Sequence, residues 1–167
     1  MPRRYFRRRY SHKNKYSVER TSGFTDSTQN WTQIPASNTT IQNYQTSIGI
    51  VPATDVQGMR KVKNFTLTFG KLGTANQPLY YALVYTPGGT ALNNINYPAV
   101  GASVSMYEPN QYVISSGLLT FEGGPLRIRS RLARNLNSND SINLILAYPS
   151  TSGLQIAVDV TYAITLQ

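Results

Sequence analysis

Apolar and polar residues alternate with a period of two along most of this chain, which is the mark of half-buried strands. The longest run is the last. Leu154, Ile156, Val158, Val160, Tyr162, Ile164 and Leu166 are separated by Gln155, Ala157, Asp159, Thr161, Ala163 and Thr165. At about 3.4 Å per residue such a strand extends over roughly 40 Å. Phe65, Leu67 and Phe69 alternate with Thr66 and Thr68, while Leu79–Tyr85 is apolar on both faces, as a central strand requires. Further strands are predicted at 111–115, at 126–132 (Leu126, Ile128 and Leu132 alternating with arginines) and at 142–148 (Ile142, Leu144, Leu146 and Tyr148 on one face). A weaker opening strand at roughly 40–51 holds Ile41, Ile48, Ile50 and Val51.

Turn-forming clusters punctuate these runs: Gly70–Gly73, Thr86–Gly89, Glu122–Pro125, Asn137–Asp140 and Pro149–Gly153. Residues 17–38 read as a polar transition without strands, and Thr86–Asn110 as one long connection, expected at a subunit contact or an exposed surface. Seven or eight strands and almost no helix predict an all-β fold, a β-sandwich or jelly roll.

The 167 residues fit one domain. Charge divides the chain more sharply than hydropathy does. The first twenty residues carry Arg3, Arg4, Arg7, Arg8, Arg9, Lys13, Lys15 and Arg20 against Glu19 alone, whereas residues 21–167 carry eight basic and six acidic residues. The chain therefore divides into a basic arm, 1–20, and a nearly neutral body, 21–167. Ser, Thr, Asn and Gln supply 55 residues and Tyr another 12, a composition suited to sheets whose outer faces meet other protein.

Catalysis is not expected. The one histidine, His12, lies in the arm, there is no cysteine, and the body acids Asp26, Asp55, Glu108, Glu122, Asp140 and Asp159 occur singly. No metal-ligand spacing, phosphate-cradling loop or dinucleotide fingerprint is present, so no cofactor is expected. No run reaches the ~18 apolar residues of a membrane helix, and no membrane insertion is expected. Sequons begin at Asn30, Asn38, Asn64 and Asn139 at about the frequency that chance allows in so Asn- and Thr-rich a chain.

The arm points to nucleic acid. Its guanidinium groups suit phosphates, and Tyr5, Phe6, Tyr10 and Tyr16 suit unpaired bases. Arg3, Arg4, Arg7, Arg8 and Arg9 also have the density of a nuclear import signal. A second row, Arg127, Arg129 and Arg131, is spaced at about 7 Å, close to successive phosphates of a single strand. It suits phosphates or a sulfated glycan, or equally an exposed sheet face or a subunit contact.

An arginine-rich, tyrosine-studded start (Met1–Tyr10) ahead of a cysteine-free β body resembles the capsid proteins of small circular single-stranded DNA viruses, the circovirus- and nanovirus-like group. Tyr112–Ser116, Leu126–Arg131, the Ile142–Tyr148 strand and the final strand add to the likeness. The resemblance implies an eight-stranded antiparallel jelly roll that self-assembles into an icosahedral shell, T=1 with sixty copies. In it Arg3, Arg4, Arg7, Arg8, Arg9, Lys13 and Lys15 hold the packaged DNA. It also implies passage through the host nucleus by way of import receptors and residence in the virion; the glycan that the Arg127 row suits would be one on the host surface. A non-capsid basic nucleic-acid-binding or ribosome-associated β-protein is the alternative. It is disfavoured because such proteins usually spread their basic residues over the body.

Overall fold

The computed structural model describes residues 15–25, 32–34, 43–55, 57–71, 78–92, 112–121, 124–149 and 155–166. Ten strands are defined: β1 (Ser17–Thr25), β2 (Thr32–Ile34), β3 (Asn43–Val51), β4 (Arg60–Lys71), β5 (Leu79–Thr86), β6 (Tyr112–Leu119), β7 (Leu126–Ser130), β8 (Arg134–Leu136), β9 (Ser141–Pro149) and β10 (Ile156–Leu166). They form two antiparallel five-stranded sheets. One runs β1-β10-β4-β7, with β8 also on β4; the other runs β2-β3-β9-β5-β6. The pairing is nested: β1 with β10, β3 with β9, β4 with β7 and β8, and β5 with β6.

The two sheets face each other across one apolar core, so the protein is an all-β sandwich. Phe65, Leu67 and Phe69 of β4 and Ile156, Val158 and Val160 of β10 meet Leu79 and Leu83 of β5 and Leu144 and Leu146 of β9. Phe69 and Tyr81 stack across the gap with ring centroids 5.9 Å apart, tilted by 46°. The two-sided apolar pattern of β5 has its reason in the sheet order, since β5 lies between β9 and β6. Its other face joins a second cluster, Ala82, Val84, Ile145 and Ala147, against which Leu92 packs from the connection that follows. Residues 93–110 of that long connection lie outside the described residues, as do Ile41 and Leu154.

The polar transition expected at 17–38 contains β1 and β2 instead, and β1 crosses the arm boundary placed at residue 20. The inward face of β1 carries Thr21 and Gly23, which no hydrophobic count detects. Thr21 donates its hydroxyl to the Ile50 carbonyl of the facing sheet at 3.1 Å. A Cβ on Gly23 would meet Ile48 at 3.0 Å, so the glycine sets how closely β1 approaches β3.

Three register shifts interrupt the simple alternation, in the β3–β9, β10–β4 and β5–β6 ladders, and the first two decide which residues are buried. In β3 an extra residue between Gly49 and Val51 buries both Ile50 and Val51, which explains the weak period of that strand. In β4, Asn64 adopts φ 58°, and the ladder to β10 shifts there. The inward set of β4 is therefore Arg60 and Val62 before the bulge, and Phe65, Leu67 and Phe69 after it. The other neighbour breaks at the same level: β7 pairs with residues 65–69 and β8 with residues 60–62. At the far end of β10, Leu166 is exposed rather than inward-facing.

A polar knot fastens one end of the sandwich. Asp140, 4% exposed, accepts hydrogen bonds from the Tyr85 hydroxyl (2.8 Å), the Gly88 amide (2.8 Å) and the Asn137 amide (2.7 Å). Arg60 donates to the carbonyls of Asp140 and Pro52 at 2.9 and 3.0 Å, drawing in the β3–β4 connection. The expected turns at 86–89 and 137–140 are the two that the carboxylate ties together. They use Gly89 and Asn139 at φ 78° and 63°, which Gly and Asn tolerate best. Burial alone would raise the Asp140 carboxyl, but its three donors and the Arg60 charge outweigh that and hold it below the usual value of 3.8. Tyr85 is pushed up to about 12 by burial and by the hydrogen bond it donates to Asp140.

Two outcomes follow from this construction of the body. Asn64→Gly will leave stability within about 0.5 kcal/mol of wild type, whereas Asn64→Val will cost about 1–3 kcal/mol in urea titrations, because a β-branched residue resists the left-handed region. Asp140 contributes stability that is complete above its unfolded value near 3.8 and is lost as pH falls through its lower folded value. Asp140→Asn will therefore be about 2–3 kcal/mol less stable at pH 7, and thermal melts will show that deficit closing in acid, below the unfolded value.

Candidate nucleic-acid interface

The face of the β1-β10-β4-β7 sheet that points away from the core is set by the same alternation that fills the core. Phe65, Leu67 and Phe69 point inward, so Thr66 and Thr68 point out, and the register carries that face across the sheet. Arg127 pairs with Thr68, which pairs with Asp159 and then Ser22. Arg129 pairs with Thr66, which pairs with Thr161 and then Arg20. Lys61 and Lys63 extend the outward row on β4 beyond the bulge, opposite Thr165 and Ala163.

Among the described residues Asp159 is the single carboxylate on this face, and it is already engaged. Arg20 Nε lies 2.6 Å from its Oδ1, and the Ser22 hydroxyl donates to the same oxygen at 3.1 Å. The Arg20 hydrogen bond is the main reason that the Asp159 carboxyl titrates below the ordinary range, and in return it raises the Arg20 guanidinium. Arg127 and Arg129 are exposed, and neither they nor Lys61 have an ion pair within the described residues. Small uncharged side chains between unpaired cations leave an open positive surface that a polyanion can approach without displacing an internal acid.

The structure separates the three arginines of the predicted row. Arg127 and Arg129 share the outward face of β7, but β7 ends at Ser130, which is buried in line with Ile128. Arg131 and Leu132 fall in the short link between β7 and β8, where Leu132 is 54% exposed instead of facing inward. The cause is the bulge at Asn64, which interrupts the ladder so that the neighbouring strand restarts as β8. Arg134, which followed the row in sequence, pairs with Val62 and takes the half-buried inward position.

Of the arm cations, Lys15 is described and exposed; Arg3, Arg4, Arg7, Arg8, Arg9 and Lys13 lie outside the described residues. The point at which the arm joins the body is nevertheless informative. Lys63 Nζ sits 3.6 Å above the ring of Tyr16, a cation–π contact that fastens the chain to the outward side of β4 just before β1 begins. Tyr16 thus lies on the same side of the sheet as Arg127 and Arg129. Lys61 and Lys63 were not singled out from sequence, although their alternation around Val62 at the start of β4 was a readable signal.

No protein-family description matches this chain, and no curated protein sequence matches it.

Replacing Arg127 and Arg129 together by glutamine will leave the melting temperature unchanged, since both side chains are exposed, and will weaken single-stranded DNA binding. Each phosphate contact contributes about 0.7 to the salt slope for a single strand, so the double variant will lower the slope of log K against log salt by about 1.4. Filter binding across a salt series measures this; an unchanged slope would remove the sheet face from the interface.

Proposed function

We propose that this protein is a viral capsid protein, a jelly roll that assembles into a small icosahedral shell and packages single-stranded DNA with its basic arm. The nested strand pairing supports the fold reading. It is the order obtained by rolling up a long antiparallel hairpin of eight strands, with β7 and β8 as two halves of one strand and β2 as an added edge.

The observation that carries the functional reading is the coincidence of arm and basic face. The chain enters the sandwich at Tyr16, under Lys63, on the sheet face that bears Arg127 and Arg129, neither of which has an ion pair among the described residues. With that face turned inward, a shell would present arm and sheet cations to its contents while near-neutral body surfaces meet one another without repulsion. Sixty copies would contribute on the order of 420 arm cations, enough to neutralise a useful fraction of a strand of about one to two kilobases. The subunit's partners are then its own copies and the DNA. Arg3, Arg4, Arg7, Arg8 and Arg9 would serve additionally as a signal for import receptors, bringing the protein to the host nucleus before it enters the virion.

Negative-stain microscopy of the full-length protein, with absorbance read at 260 and 280 nm, tests the reading. Uniform closed particles containing nucleic acid are expected. Deleting residues 2–14, which spares β1, will leave particles that assemble but have lost most of their 260 nm excess. A monomer that binds single-stranded DNA and never closes into particles would overturn the shell and leave a nucleic-acid-binding β-protein.

A further inference from the structure

A groove of about 620 Å³ opens beside the polar knot, within the size range of small-ligand sites. Its described lining comes from both sheets: Lys61 of β4, Arg134 and Asn135 of β8, Tyr85 of β5 and Tyr112 of β6. The chemistry of this set is specific. Two cations line the groove, and neither has an ion pair among the described residues. Arg134 also carries a buried Nε–H with no hydrogen-bond acceptor, a costly state that a ligand oxygen would relieve.

Two tyrosine rings complete the lining, with centroids 5.7 Å apart and planes inclined at 39°. The Tyr85 hydroxyl is committed to Asp140, so what Tyr85 offers a ligand is its ring. Tyr112 is 48% exposed at the edge strand of its sheet and provides a free stacking surface. Asn135 adds an amide able both to donate to and accept from a polar edge. Cations for an anion, rings for a planar group and an amide for its edge define one ligand class.

We propose that this groove binds a nucleoside phosphate unit, with the phosphate held by Lys61 and Arg134 and the base stacked on Tyr112. The ligand is either a free mononucleotide or one nucleotide of a DNA strand. Lys61 belongs both to the groove and to the outward cationic face of β4, so a strand lying on that face leads into the groove. The site extends the nucleic-acid reading given above, but its geometry does not require a shell.

Photo-crosslinking of the full-length protein with 5-iodo-dUMP and with a ten-nucleotide oligothymidine bearing one 5-iodouracil tests the site, the products being mapped by mass spectrometry. Crosslinks to Tyr112 or Tyr85 are expected. Base stacking of this kind predicts a loss of labelling on the order of tenfold in Tyr112→Ala when crosslinks to Tyr85 are scored. Arg134→Gln and Lys61→Gln will each reduce labelling comparably, and unlabelled oligothymidine will compete where inorganic phosphate at the same concentration does not. Two variants guard against misfolding, because Lys61 is outside the core even if Arg134→Gln melts early. Labelling by both probes identifies a mononucleotide site, and labelling by the oligonucleotide alone identifies a strand site; either supports the proposal. Crosslinks confined to other residues, labelling unchanged in folded Arg134→Gln and Lys61→Gln, or competition by a sulfated disaccharide but not by unlabelled oligothymidine would overturn it. Microscopy of the same samples keeps the two readings apart: filled particles without groove labelling defeat the groove alone, and groove labelling without particles defeats the shell alone.

Discussion

The left-handed backbone at Asn64 lets β4 keep an apolar face on the core from Val62 to Phe69. Without the extra residue, Val62 and Phe65 would project to opposite sides of the sheet, and one half of the strand would expose its apolar set. With it, Val62, Phe65, Leu67 and Phe69 all reach the interior. Both neighbours of β4 are adjusted to the same residue: the β10 ladder shifts opposite it, and the strand on the other side divides into β7 and β8. The placement of Arg127 and Arg129 outward, of Arg131 in a link and of Arg134 at the groove follows from that one phase change.

Polar groups do comparable work at the end of the sandwich. A buried carboxylate is tolerable when its lone pairs are filled, and Asp140 receives three donors with the Arg60 charge close by. The result joins the β3–β4, β5–β6 and β8–β9 connections into one unit. It also orients Tyr85, which lines the groove. Structural and binding roles thus meet at one side chain, whose hydroxyl serves the fold and whose ring borders the proposed ligand.

Charge is arranged by the same economy. Most core-facing positions of the β1-β10-β4-β7 sheet are apolar or small, Arg60 and Arg134 at one end excepted, and the outward positions carry Thr, Ala and a few cations. One acid, Asp159, is satisfied locally by Arg20 and Ser22 and subtracts little from the field of the rest. The contact of Lys63 with Tyr16 sets the start of the described chain on the outward side of this sheet.

Strand existence was legible wherever one face is built from large apolar residues. β4, β7, β9 and β10 were predicted from their periods, β3 from a weaker one, β5 from its two apolar faces and β6 as a short run at 111–115. β1 was not, because Thr21 and Gly23 fill its inward positions with hydrogen bonding and close approach in place of bulk. The basic row at 127–131 was legible as residues but not as a surface, since a bulge on another strand decides which of its members remain aligned. Asp140 was one isolated acid in the sequence, and its three donors come from positions 3, 52 and 55 residues away. Local periodicity thus determined that the chain is all-β and most of the residues that face a core, and composition determined that its positive charge is concentrated in the arm. Tertiary structure alone decided the nesting of the strands, the joining of arm and sheet face, and the groove between the two sheets, because each depends on register between segments distant in the chain, which no local pattern encodes.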